Sequence, residues 1–316
     1  MTERGGRADR YPPTMRTVAG KGVSQRLVFD PSMKHHPHAM RATDPRFIDP
    51  GRGELWYGKR TAAMAAALAA VADCDFAGHL VLRGSVLMKL WFGAAAREPG
   101  DLDFVVDHSA WPMADPRTAE LFEQVAAGAE AVARRDGAVR IDARGAIGDE
   151  IWAYDRVPGR RLVLPWSADG CPAGAVQLDF VFGEKLPEAA RPIGLWITQD
   201  APTVLRAASP ELSLAWKLLW LVGDMYPQAK DLYDAVLLAE AVHLPRRLLG
   251  QVIAPSAVAS ALWSDHHWSD FEDDDDWAAF SEDYPEAAAG GSDTLLQRLR
   301  TALAPTFAEG ADDAGS

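Results

Sequence analysis

Two aspartates one residue apart, Asp101 and Asp103, stand in an apolar stretch that follows a Gly-Ser step; residues 80–107 read LVLRGSVLMKLWFGAAAREPGDLDFVVD. In a strand, positions i and i+2 share a side. Both carboxylates therefore point one way, while Leu102 and Phe104 point the other. Val105 and Val106 carry the strand into a core. Like charges held side by side repel, and a divalent cation removes the repulsion. Hard ions such as Mg²⁺ take carboxylate oxygens together with substrate phosphates. The segment must fold as a strand that is dry on one side and acidic on the other.

The residues just before it supply an anion site. His79 to Arg83 reads as a short strand and Val86 to Phe92 as an amphipathic helix, with Gly84 and Ser85 between them. Free backbone N–H groups and the helix dipole at such a turn favour a phosphate. Gly84 permits close backbone approach, and Ser85 can cap the helix or donate its hydroxyl to a phosphate oxygen. A third acid, Asp179, lies in another apolar strand, AVQLDFVF over residues 175–182. Alone, it reads as a strand-end residue satisfied by a backbone amide. Beside Asp101 and Asp103 it reads as a third metal ligand. Three carboxylates holding two Mg²⁺ ions would clamp the attacking and leaving oxygens of a phosphoryl or nucleotidyl transfer.

Lys217 is the next candidate. It sits in ELSLAWKLLWLVGDMY, where Leu212, Leu214, Ala215, Leu218, Leu219 and Val222 cover most of a helix. A lysine amid that much apolar surface either snorkels to water or meets an anion. In the second case it is a point charge for a triphosphate. Asp231 and Asp234, three apart, share a face of the following helix. Asp231 suits a helix N-terminus, or it orients Lys217 or the acceptor.

Taken together, these segments resemble the polymerase-beta-type nucleotidyltransferase superfamily: Gly-Ser, a helix, D-x-D, and a third Asp on a later strand. More narrowly, GSVLMKLWFG…REPGDLDF is similar to the first motif of the AbiEii/AbiGii-type nucleotidyltransferase toxins, which include the MenT toxins. AVQLDFVF is similar to their second motif. Residues 209–240, with Lys217 and the run Lys230-Asp231-Leu232-Tyr233-Asp234, are similar to their third and fourth. The resemblance spans about residues 79–242. One departure is the fifteen residues between Ser85 and Asp101, a little long for the motif. The excess falls in the Gly- and Ala-rich GAAAREPG, a loop that tolerates insertion.

The resemblance implies an α/β (α+β) nucleotidyltransferase core with a mixed sheet, followed by a helical C-terminal domain. It implies an NTP substrate and Mg²⁺, two ions in all, on Asp101, Asp103 and Asp179. Gly84, Ser85 and Lys217 would hold the nucleotide, and Asp101, Asp103, Lys217 and Asp231 would serve catalysis. The acceptor it implies is an RNA, the 3′ end of tRNA, whose blocking would stop translation and make the protein a toxin. The alternative is a small-molecule transferase of the aminoglycoside-modifying type, with which the net charge of −13 is compatible. A degenerate core used only for binding is disfavoured, because such a core has no need to keep repelling acids together.

Charge and cysteine usage bound the remainder. A net charge of −13 argues against broad nonspecific nucleic-acid binding. Local basic surface remains at Arg134-Arg135, Arg140, Arg144, Arg156, Arg160-Arg161 and Arg246-Arg247, where an RNA could dock. The acidic excess is concentrated at residues 265–283, DHHWSDFEDDDDWAAFSED, with nine acids. That segment reads as a solvated loop, as a mimic of nucleic acid, or as a site for a basic partner such as an antitoxin. Trp263, Trp268 and Trp277 interleave with the acids and favour docking. Two cysteines, Cys74 and Cys171, make no disulfide framework. With no apolar leader and no apolar run long enough for a bilayer, the expected location is cytoplasmic, with no membrane contact.

The expected organisation is an unstructured segment over 1–45, a nucleotidyltransferase core over 46–200, a helical domain over 201–303 and a disordered tail over 304–316. A cleft between core and helical domain would hold the nucleotide. His35, His36 and His38, and the pair His266 and His267, lack the further spaced ligands that a metal site needs.

Overall fold

A computed structural model describes residues 11–107, 110–153, 157–195, 202–224, 226–254 and 275–309. Arg156, Trp263, His266, His267, Trp268 and most of the acidic run lie outside the described residues. The chain divides into two compact units. The first comprises Met1–Leu87, Glu98–Glu184 and Pro192–Ala207; the second comprises Met88–Arg97, Lys185–Arg191 and Ala208–Ser316.

The first unit opens with four short strands, β1 (Val23–Ser24), β2 (Leu27–Phe29), β3 (Met40–Ala42) and β4 (Arg46–Phe47). They form two antiparallel ribbons, β1 with β4 and β2 with β3. This differs from the unstructured segment expected before residue 46. Charge and proline content hid two anchors. Asp30 caps the tight turn Pro31–Met33, and Met33 packs with Ala39 and Ile151 in a small buried cluster.

Helix α1 runs from Pro50 to Asp73. Asp49 caps it, accepting from the amides of Gly51 and Arg52 at 3.0 and 3.3 Å, and Pro50 occupies the first turn. That is the usual chemistry of a helix start. Strand β5 (Leu80–Arg83), helix α2 (from Ser85 to Phe92) and strand β6 (Leu102–Val106) follow, then helix α3 (Pro116–Asp136). Helices α1 and α3 cross closely because small residues face each other. A Cβ on Gly128 would stand 3.0 Å from that of Ala70.

The remaining strands are β7 (Arg140–Ile141), β8 (Ile147–Ala153), β9 (Val157–Ser167), β10 (Gly174–Phe182), β11 (Arg191–Leu195) and β12 (Thr203–Ala207). With β5 and β6 they build an eight-stranded sheet in the order β11-β12-β5-β6-β10-β9-β7, where β8 also pairs with β9. The sheet is mixed, as expected: β6 runs parallel to β10 and antiparallel to β5. Strand β7 ends at Ile141, because Asp142 caps a tight turn at Ala143–Gly145. Alternation divides the sheet into two sides. Phe104 and Phe180 stack at 5.3 Å on the side where Phe122 of α3 packs. Asp103 and Asp179, each one residue away along its strand, face the other side.

The second unit contains α4 (Pro210–Gly223), α5 (Ala229–Ala241), α6 (Arg246–Ile253), α7 (Asp275–Asp283) and α8 (Gly291–Ala308). Ser209 caps α4 through the amide of Leu212. Helix α8 continues into the tail expected to be disordered. Leu303 and Thr306 are buried, and the Thr306 hydroxyl donates to the Leu244 carbonyl at 2.7 Å. No helix among the described residues is long and apolar enough to cross a membrane.

Candidate active site

The sequence-predicted residues fall into two clusters, one in each unit. In the first unit, Gly84 has φ +82°, a left-handed backbone that glycine adopts without penalty. The turn presses on the acid pair: a Cβ added to Gly84 would lie 2.4 Å from Asp103 Oδ2 and 3.2 Å from its Cγ. Ser85 begins α2, and its hydroxyl lies 3.5 Å from the Asp101 carbonyl oxygen. The phosphate-cradle turn and the D-x-D pair are thus in contact, despite the long loop between them.

This contact makes Gly84→Ala a sharp test. A side chain there meets an unfavourable φ, worth about 1–2 kcal/mol, and displaces the Asp103 carboxylate. Small misplacements of reacting groups cost on the order of 100-fold in rate. Transfer is therefore expected to fall by roughly that factor while circular dichroism shows a folded chain. A variant that is as fast as wild type would mean that the turn does not position Asp103.

Strand pairing sets a rank of charged residues across the sheet. Arg83 on β5 is in register with Asp103 on β6, Asp103 with Asp179 on β10, and Asp179 with Arg161 on β9. Asp179 is held by Arg161 through two bonds: Nε donates to Oδ1 and Nη2 to Oδ2, both at 2.9 Å. Arg161 also donates from Nη1 to Asp30 Oδ2 at 2.8 Å. Arg83 pairs with Glu184. Burial raises the Asp179 carboxyl above the usual carboxylate range; the pull of Arg161 opposes this, and Asp101 and Asp30 add to the rise. Burial would also raise Asp30, but Arg161 overcomes it and holds that carboxyl at about 2.

Whether these residues suit a cation depends on the donors. Around Asp179, Arg161 faces the acids Asp30, Asp101 and Asp103; Arg41 acts on Asp30, and Arg83 pairs with Glu184. That acidic excess fits a divalent ion. Among the described residues, however, no three acids, histidines or cysteines are grouped to hold one. Asp179, the expected third ligand, is bound by Arg161 through both oxygens. The donor set that fits is the Asp101–Asp103 pair, with substrate phosphates completing the shell, an arrangement common for Mg²⁺.

In the second unit, Lys217 does not snorkel. It is 5 % exposed and lies between two acids, 2.5 Å from Asp231 Oδ1 and 3.0 Å from Asp234 Oδ2. Its Nζ also lies 5.1 Å from the centroid of the Trp220 ring. Asp234 is fully buried and bound on its other side by Arg97, Nε to Oδ1 at 3.1 Å and Nη2 to Oδ2 at 2.7 Å. Burial alone would raise Asp234, but Arg97 and then Lys217 outweigh it and hold the carboxyl at about 2. Burial would lower Lys217; Asp231 and Asp234 prevail and raise it. Two cations and two acids thus make a balanced buried set.

Arg97 and Arg161 were the residues that sequence reasoning missed. Arg97 stands in GAAAREPG, read as spacer. The available signal was a single basic side chain in a Gly- and Ala-rich stretch. Arg161, expected on an RNA-docking surface, is 6 % exposed. The arginines beside it differ: Arg134, Arg135 and Arg140 are exposed and pair with Glu130, Asp136 and Asp169.

A mixed sheet with a Gly-Ser turn set against a D-x-D pair is the frame of a nucleotidyltransferase. The family model "Nucleotidyl transferase AbiEii toxin, Type IV TA system" matches residues 66–313, and the chain belongs to that family. It is a nucleotidyltransferase, the toxin of a toxin–antitoxin pair, and so has an NTP substrate and an antitoxin partner. No curated protein matches the chain. Among solved structures, an antigenic nucleotidyltransferase-like protein from Paracoccidioides brasiliensis is similar at 15% identity, over 58% of this chain and 84% of its own, with a TM-score of 0.29. That likeness is too slight to argue from.

Proposed function

We infer that the protein transfers an NMP from an NTP to the terminal hydroxyl of an RNA, the 3′ end of tRNA, in a Mg²⁺-dependent reaction in the cytoplasm. The observation that carries the reading is the contact of the Gly84 turn with the Asp103 carboxylate. It sets an anion cradle beside a pair of acids, the combination that a nucleotide carrying a metal requires. Gly84 and Ser85 bind phosphate oxygens. Asp101 and Asp103 hold the ion, which when bound would neutralise phosphate charge and polarise the phosphoryl group. In the second unit, Lys217, held by Asp231 and Asp234, would serve the nucleotide as a point charge.

The bond changes are simple. The acceptor oxygen bonds to the α-phosphorus, the α–β P–O bond breaks, and pyrophosphate leaves with the bonding pair. The hydroxyl proton passes to a carboxylate. Asp179 suits that role because burial keeps its affinity for a proton high. The RNA acceptor rests on the toxin role of the family and not on the arginines, since Arg161 lies inside the fold. An enzyme that blocks tRNA ends stops translation and so is toxic.

The test is to incubate the full chain with each labelled NTP, Mg²⁺, and either total tRNA or a panel of aminoglycosides. Label is expected on tRNA and absent from tRNA whose terminal ribose has been oxidised with periodate. Label on an aminoglycoside and none on tRNA would replace this reading with the small-molecule one.

A further inference from the structure

The family match begins at residue 66, yet the side chain that grips Asp179 is itself gripped from residues 30–32. We propose that this N-terminal turn belongs to the active site: Asp30 and Ser32 are positioning residues that fix Arg161, and Arg161 presents Asp179 to the acid pair with a single open lone pair. This deepens the proposed function and rests on its assignment of the metal to Asp101 and Asp103.

A guanidinium has five N–H donors in a rigid fork. Arg161 spends Nε and one Nη2 proton on Asp179. That would leave three donors unmet at a site 6 % exposed, and unmet buried donors are costly. The N-terminal turn supplies acceptors for two of them. Nη1 donates to Asp30 Oδ2 at 2.8 Å and Nη2 to Ser32 Oγ at 2.9 Å. Asp30 is fixed in turn, because Ser32 donates to its Oδ1 from both hydroxyl and amide, at 2.7 and 3.1 Å. Its own amide donates to the Ala39 carbonyl at 2.8 Å. Apolar burial of Met33 against Ile151 and Ala39 seats the turn on β8.

The consequence falls on Asp179. Its Oδ2 accepts from Arg161 Nη2 and from Gln177 Nε2 at 3.2 Å, so both lone pairs of that oxygen are used. Among the described residues, its Oδ1 accepts from Arg161 Nε alone and keeps one lone pair. Asp179 therefore makes one further contact, through one oxygen, in register beside Asp103. Without Asp30, the guanidinium has no rear anchor, and the orientation of Asp179 is no longer unique. Outer partners of this kind typically alter metal affinity by about 10–100-fold.

The experiment measures Mn²⁺ binding by titration calorimetry on the full chain without nucleotide, and labelled-NTP affinity in EDTA. Asp30→Ala is expected to raise the Mn²⁺ Kd about ten-fold, leave NTP affinity in EDTA within about two-fold, and lower transfer. Asp30→Asn, which keeps an acceptor for Nη1, is expected to recover much of the Mn²⁺ affinity. A structural role alone would weaken NTP and Mn²⁺ binding together, with no recovery by Asn, and that pattern overturns the proposal. If Asp30→Ala does not fold by circular dichroism, Ser32→Ala decides: a Kd raised about three-fold supports the proposal and an unchanged one sinks it. Asp101→Asn separates the two readings. If it loses Mn²⁺ binding while Asp30→Ala binds like wild type, only this inference fails. If Asp101→Asn also binds like wild type, the metal assignment fails and takes the inference with it.

Discussion

Asp101→Asn is expected to abolish nucleotidyl transfer, by about 10³-fold or more, while the melting temperature holds or rises. The rate term follows from the several kcal/mol of transition-state stabilisation that a bound cation supplies, at about 1.4 kcal/mol per factor of ten. The stability term has the opposite sign. Asp101 and Asp179 repel, as the upward push of Asp101 on the Asp179 carboxyl shows. An amide of the same shape removes that repulsion. Asp103→Asn should lose transfer equally, but it is the poorer probe of stability because Asp103 packs directly on Gly84. The measurement is single-turnover transfer with Mg²⁺ as the only divalent ion, alongside thermal melts. Wild-type transfer in Asp101→Asn would remove the acid pair from the mechanism.

Lys217→Met should be the most damaging single change in the second unit. It leaves Asp231 and Asp234 buried with only Arg97 to compensate them. Breaking a buried ion pair from one side costs about 3–5 kcal/mol, a large share of the stability of an ordinary domain. Transfer should be lost as well, which alone cannot separate fold from function. The double variant Lys217→Met with Asp231→Asn can. It leaves the balanced Arg97–Asp234 pair, bound at 2.7 and 3.1 Å, so most of the stability should return. Transfer should stay absent, because no lysine remains to meet the nucleotide. A double variant that regains transfer would make Lys217 a structural residue only. Lys217→Arg should rescue little: a planar guanidinium does not fit where one ammonium bridges two carboxylates.

The D-x-D strand was legible in the sequence because its cause is local. Period-two alternation places Asp103 opposite Leu102 and Phe104 whatever the rest of the chain does, with Asp101 just before the strand. The Gly84–Ser85 turn and the apolar helix around Lys217 are likewise written in neighbouring residues. For the same reason β10 lies where the apolar run over residues 175–182 puts it.

Tertiary structure alone decided the partners. Nothing near Arg161 in sequence shows that it faces Asp179, eighteen residues on, and Asp30, 131 residues back. Nothing near Arg97 points to Asp234, 137 residues away. A basic side chain in a polar stretch looks alike in sequence whether it meets water or a buried acid. What distinguishes the two is burial, which strand register and helix packing determine. Residues 11–45 were misread for the same reason: their order comes from Asp30 meeting a guanidinium on β9 and from Met33 meeting Ile151 on β8, long-range contacts that leave no periodic trace. The sequence determined which chemistry the chain carries, and the fold determined which charges hold that chemistry in place.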